Sequence, residues 1–164
     1  MKKITLFTLA IFLSSWCMAQ EDLSFPFQGG STIMTRFFND NVVASPDIIA
    51  NKATGMAIFK FTADDAGSIS KIVVYYADDL ILTPPIIEAL KKSNHKWIIP
   101  NHEKFHDFII PFNIGFNIPL TGNGAVEKAY YDFYLHRKPM QSVDQIPLNE
   151  ATLLPAVVIK YELQ

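Results

Sequence analysis

The sequence predicts an α+β fold, a small antiparallel β-sheet with one or two helices packed on one face and extra strands towards the C-terminal end. Three observations carry that expectation. Two strand-like runs, around residues 56–61 and 69–76, flank the polar cluster Asp64 to Ser68 and so form an antiparallel hairpin. Thr83, Pro84 and Pro85 then open a short helix whose Ile86, Ile87 and Leu90 offer an apolar face to that sheet. Residues 106–116 alternate strictly, with Phe108, Ile110, Phe112, Ile114 and Phe116 on one side, the mark of a half-buried strand.

The elements follow in order. Residues 1–19 read as a secretory signal peptide: Lys2 and Lys3, an apolar run of about ten residues, then the small-residue exit at Met18 and Ala19. The run is short of the roughly 20 residues that cross a bilayer, so the expectation is cleavage, no membrane span in the mature chain and a periplasmic location. An uncleaved anchor is the alternative. Cys17, the only cysteine, lies within the segment to be removed and follows the bulky Trp16, which speaks against lipid attachment and excludes disulfides. Without Lys2 and Lys3 there are 12 basic and 16 acidic residues, a net charge of −4 with no basic face for nucleic acid. Residues 20–164 suit one domain with a single core.

Within it, Ser31 is expected to cap a first helix bearing Met34, Phe37 and Phe38, and Ser45 with Pro46 to start a short second one over residues 46–52. Ser93 and Asn94 end the helix after the hairpin, near Trp97. Pro111 has no amide to give to a ladder, so the strand over residues 106–116 belongs at a sheet edge or at a bulge. Beyond it, residues 122–124 read as a turn, 129–135 and 156–163 as strands, and 139–155 mostly as loop.

Taken together, Phe27-Gln28-Gly29-Gly30, Asn41 and Val42 before Pro46, Gly55 opening the first strand, Asp65 with Gly67 at the hairpin, Glu88-Ala89 in the helix, and Trp97 with Pro100 form an ordered set of motifs. Residues 25–116 resemble on this basis the C-terminal domain of the TonB energy-transducing proteins, in the version common among bacteria of the Bacteroides group. Ser45 stands where that family has Tyr, Trp97 and Pro100 are one residue further apart, and the extension 117–164 has no counterpart. The resemblance implies non-catalytic binding of a periplasmic protein partner, such as a TonB-dependent receptor or transport component, by strand addition along a free sheet edge. By resemblance that edge is the strand over residues 106–116, giving His106, Phe108, Ile110, Phe112, Asn113 and Ile114 as the partner-binding residues. A free edge also admits self-pairing into a homodimer. The alternative for these side chains is plain core, with the edge covered by residues 156–163 in a structural domain.

One competing chemistry is written in His102-Glu103-Lys104-Phe105-His106, the H-E-x-x-H pattern of zinc peptidases, with Glu103 as base and Glu127 as a conceivable third ligand. That pattern needs a helix to bring its imidazoles together, whereas a strand is expected to begin at His106 itself. The leading expectation is therefore no enzyme, no cofactor and no metal. Adjacent Asp64-Asp65 and Asp78-Asp79 read as turn acids, and His95 and His136 as a helix-end and a solvated histidine.

Overall fold

A computed structural model describes residues 25–99, 103–117, 124–143 and 151–163. The signal-peptide segment, His102, Pro100 and the turn at residues 122 and 123 lie outside the described residues. The fold is α+β, with four helices and six strands among the described residues: α1 (Gly30–Asn41), α2 (Pro46–Ala50), β1 (Gly55–Asp64), β2 (Ile69–Ala77), α3 (Thr83–Lys92), β3 (Phe105–Phe116), α4 (Gly124–His136), β4 (Met140–Gln141), β5 (Ala151–Leu153) and β6 (Val157–Tyr161). No helix among those residues is long and apolar enough to cross a membrane.

β1 lies between β2 and β3 and pairs antiparallel with both, so α3 carries the chain from one side of β1 to the other. Register places Ala57, Phe59, Phe61 and Ala63 beside Phe112, Ile110, Phe108 and His106 on one face, all buried. Onto that face α1 brings Met34 and Phe38, and α3 brings Ile86, Ala89 and Leu90. Trp97 sits among them, its ring 4.5 Å from Phe61 and 5.0 Å from Phe27, while Phe38 meets Phe112 edge-on at 5.1 Å. Its indole N–H is satisfied by Ser93 Oγ, which itself donates to the Leu90 carbonyl, so the residue that ends α3 also fixes the central aromatic.

Local chemistry explains most boundaries. Ser45 caps α2 through Ile48 N as expected, and Pro46 occupies its first turn. α1 starts earlier than Ser31 implies: Gly29, at φ 88°, turns the chain, and an added Cβ there would meet Ile33 at 2.9 Å. Thr83 is the first residue of α3, not its cap, and bonds back to the Leu80 carbonyl. In the hairpin turn Asp64 Oδ1 accepts from Ala66 N and Ser68 N, and Gly67 takes φ +74° where a Cβ would stand 2.6 Å from the Trp97 carbonyl.

One expectation is overturned. Residues 129–135 form the last two turns of helix α4, not a strand: Val126, Ala129 and Phe133 recur at helical spacing and turn inward, and the aromatic-rich sequence masked that period. The expected antiparallel sheet and extra C-terminal strands are both present, and the added strands make the sheet mixed. Only β4, β2, β1 and β3 are antiparallel, whereas β5 and β6 run parallel to β3 along its outer side.

Candidate functional site

Strand addition needs an unpaired margin, and β3 is not one. Asp107, Phe108 and Ile109 pair with Ala151, Thr152 and Leu153, and residues 112–116 pair with Val157 to Tyr161. Phe108, Ile110, Phe112 and Ile114 are buried in the core, His106 is 8% exposed, and Asn113 lies within the β3–β6 ladder, paired with Val158. The six residues assigned to a binding edge thus share one strand, but its free side is taken by the chain's own extension. Burying a Val, Leu or Ile side chain contributes roughly 1.5–3 kcal/mol. Leu154, Val157 and Ile159, all buried, therefore hold that extension by about 5 kcal/mol or more, which a guest strand would have to displace.

Pro111 shows its consequence here. The Ile109 carbonyl accepts from Leu154 N on the tail side, so by alternation Pro111 turns its amide-less nitrogen to the same side. Opposite it the tail leaves the ladder. Three steps along β3, from Ile109 to Phe112, face four along the tail, from Leu153 to Val157, and Pro155 lies in the interval. The proline marks a bulge in its neighbour, the second of the two settings its chemistry permits.

The H-E-x-x-H segment enters the same strand. Phe105 and His106 are its first residues, so the helical geometry that zinc ligation demands is missing where the motif is described. His106 Nδ1 stands 2.8 Å from Glu103 Oε2, and its Nε2 stands 2.8 Å from Thr152 Oγ1. Both ring nitrogens are engaged, and the carboxylate expected to act as base instead orients the imidazole. The arrangement ties β5 to the start of β3. Glu127 lies on the first turn of α4, and no group of three or more metal-ligating side chains is assembled among the described residues.

On the opposite sheet face Lys60, 5% exposed, reaches Asp107 Oδ2 at 2.6 Å, while Thr62 Oγ1 donates to Asp107 Oδ1 at 2.6 Å. Burial alone would push the Asp107 carboxyl up, but the hydrogen bonds from Lys60 and Thr62, together with the Lys60 charge, hold it below the ordinary carboxylate value. Asp78 and Asp79 behave as turn acids: Asp78 accepts from Met56 N, the Tyr76 hydroxyl and Arg137, and Asp79 from Ile81 N and Lys138 N. His95 serves the hairpin turn, not the helix end, through Ala66 O and Ser68 Oγ, and exposed His136 bonds to the Asp132 carbonyl.

Among the described residues, the margin that lacks a paired strand is on the other side of the sheet, at β2. β4 pairs only with Tyr76 and Ala77, so among the described residues no strand pairs with the outer side of residues 69–74. Alongside runs a groove of about 450 Å³ bounded by Ile69, Ser70, Ile72, Ile87, Lys91 and Asn94. Its three isoleucines are only partly buried against the core, and completing their burial would contribute about 1 kcal/mol each. Nothing in the sequence signalled this margin, because both hairpin strands alternate alike and the periodicity does not reveal which neighbour each receives. The chain matches no protein-family model, no curated protein and no solved structure.

Proposed function

We propose that this chain is a non-catalytic protein-binding domain that takes up an extended segment of a partner by strand addition, and that it acts in the periplasm in connection with TonB-dependent transport. The observation that carries the reading is the outer side of β2 over residues 69–74, with which no strand pairs among the described residues, flanked by a groove with an apolar floor. The order of helix, short helix, hairpin, helix and strand, which underlies the resemblance to TonB C-terminal domains, supports the same view. In this chain the receiving edge is β2, since β3 carries β5 and β6.

The covered side of β3 favours a second reading, a structural periplasmic domain whose edge is closed by its own extension. Calorimetric titration with synthetic peptides copied from the periplasmic segments of TonB-dependent receptors separates the two. Strand addition predicts binding that disappears when prolines replace alternate residues of the peptide. Failure of every such segment to bind would overturn it in favour of the structural reading.

A further inference from the structure

Apart from the binding reading, which concerns the other margin of the sheet, we infer that Thr152 is an activated hydroxyl that takes up one small acyl group from an activated ester, with His106 as its general base and Glu103 as the positioning residue. The three side chains come from separate places in the chain: Glu103 precedes β3, His106 lies at its start, and Thr152 lies in β5. Register brings them together, because β5 runs parallel beside the first half of β3 and pairs Thr152 with Phe108. Glu103 Oε2 stands 2.8 Å from His106 Nδ1, and Thr152 Oγ1 stands 2.8 Å from His106 Nε2. A carboxylate only accepts, so the neutral ring carries its proton on Nδ1 and turns the lone pair of Nε2 to the threonine hydroxyl. Hydroxyl, base and orienting carboxylate in that order are the arrangement by which a weak nucleophile is activated.

The surroundings set the substrate class. His106 is buried, so water competes little for Nε2, whereas Thr152 is only partly buried and within reach of a small reagent. Beside the imidazole opens a cavity of about 300 Å³ bounded by Thr62, Glu103, Phe105, His106 and Asp107, at the lower end of the range for small-molecule sites. Exposed Phe105 gives it an apolar wall. The Ile109 carbonyl accepts from Leu154 N, so by alternation Thr152 turns its amide to β3 and Leu153 turns its amide away, to a side where no strand pairs with β5 among the described residues. An N–H directly after the nucleophile is one of the donors that hold a developing oxyanion. In the step itself the Thr152 oxygen bonds the carbonyl carbon and passes its proton to Nε2. The bond from that carbon to the leaving oxygen breaks, and the leaving group departs as the alcohol with that proton. The product is an acyl-threonine, formed once per chain, whose oxygen no longer has a proton to give to His106.

The test uses the full chain and p-nitrophenyl acetate, with p-nitrophenolate release as the rate readout and peptide mass spectrometry to locate the acetyl group. With this probe the phenolate leaves as the anion and the imidazole proton passes to water. The native chain is expected to release about one equivalent in a burst and to carry the acetyl group on Thr152, whereas the urea-unfolded chain shows no burst. Thr152→Val, which keeps the side-chain shape, is expected to lose the burst, and Thr152→Ser to retain it. His106→Gln should slow it about a hundredfold or more. Glu103→Gln should lower the limiting rate about tenfold or more and leave the half-saturating ester concentration unchanged, as expected of a residue that acts through the imidazole. Thermal transitions check that each variant is folded. No burst from the native chain, an acetyl group on a lysine or tyrosine in place of Thr152, or a burst that survives Thr152→Val would each overturn the inference and leave the contact as a tie between strands. A Glu103→Gln variant that weakens ester binding without slowing the limiting rate would overturn the positioning role.

Discussion

The hydroxyl of Tyr161 donates to the Ala53 carbonyl across 2.9 Å and lies 3.4 Å from the Ile48 carbonyl, so the last strand is tied to the segment that leads into the first. The tie spans 108 residues of sequence and keeps β6 seated along β3. It joins the burial of Val157 and Ile159 in closing the side of the sheet where the resemblance placed a binding edge.

Removing that hydroxyl tests the closure. Tyr161→Phe keeps the ring and leaves the Ala53 carbonyl short of its donor, so a loss of about 1–2 kcal/mol is expected in urea denaturation. Burial also pushes the phenol up to about 12. Its proton is held more tightly in the folded chain than in the unfolded one, where the value is about 10. The resulting stabilisation is complete below about pH 10 and is lost as pH rises from there towards 12. A phenolate titration of the native protein should show a late-ionising tyrosine that is absent from Tyr161→Phe.

The Lys60–Asp107–Thr62 cluster predicts acid sensitivity of the opposite sign. Asp107 is held below its ordinary value, so its contribution is present above about pH 4 and is lost as pH falls through the lower folded value. Asp107→Asn should flatten the acid limb of the stability profile below about pH 4. Lys60→Met leaves the 28%-exposed carboxylate with Thr62 alone and is expected to cost about 2–3 kcal/mol, below the range for a fully buried pair. Lys60→Met with Asp107→Leu should recover most of that loss.

Gly67→Ala combines strained backbone with a collision. The residue takes φ +74°, and the new methyl would stand 2.6 Å from the Trp97 carbonyl. A loss of about 1–3 kcal/mol is expected, with a shift in Trp97 fluorescence as the hairpin turn backs away from it.

His106 distinguishes the binding reading from zinc chemistry. Because Glu103 and Thr152 occupy both ring nitrogens, stoichiometric zinc should leave the thermal transition unchanged. His106→Ala should lower stability by about 1–2 kcal/mol through the lost β3–β5 tie. A transition raised by zinc in the native chain and not in His106→Ala would reverse this assignment.

The core was legible from sequence because its signals are local. Period-two alternation identified the hairpin and β3, and Pro84, Pro85 and Ser93 bracketed α3. In α4 two local signals conflicted: Tyr130, Tyr131, Phe133 and Tyr134 favour strands, while the helical spacing of Val126, Ala129 and Phe133 prevailed. The margin proposed for binding was not legible. Which strand is left without a neighbour depends on where β5 and β6 dock, a contact between residues more than forty positions apart, and no periodicity encodes it. Pro111 gave a partial hint, since edge and bulge were both open to it and the bulge, on the adjoining tail, is what formed.

The most direct measurement of the central claim is residue-resolved amide hydrogen exchange with and without, at saturation, a synthetic peptide copied from the periplasmic segment of a TonB-dependent receptor. The account predicts slowed exchange at alternate amides within residues 70–74, with β5 and β6 unchanged. Protection appearing along β3 or β6, or exchange in β6 accelerating as the peptide takes its place, would contradict it.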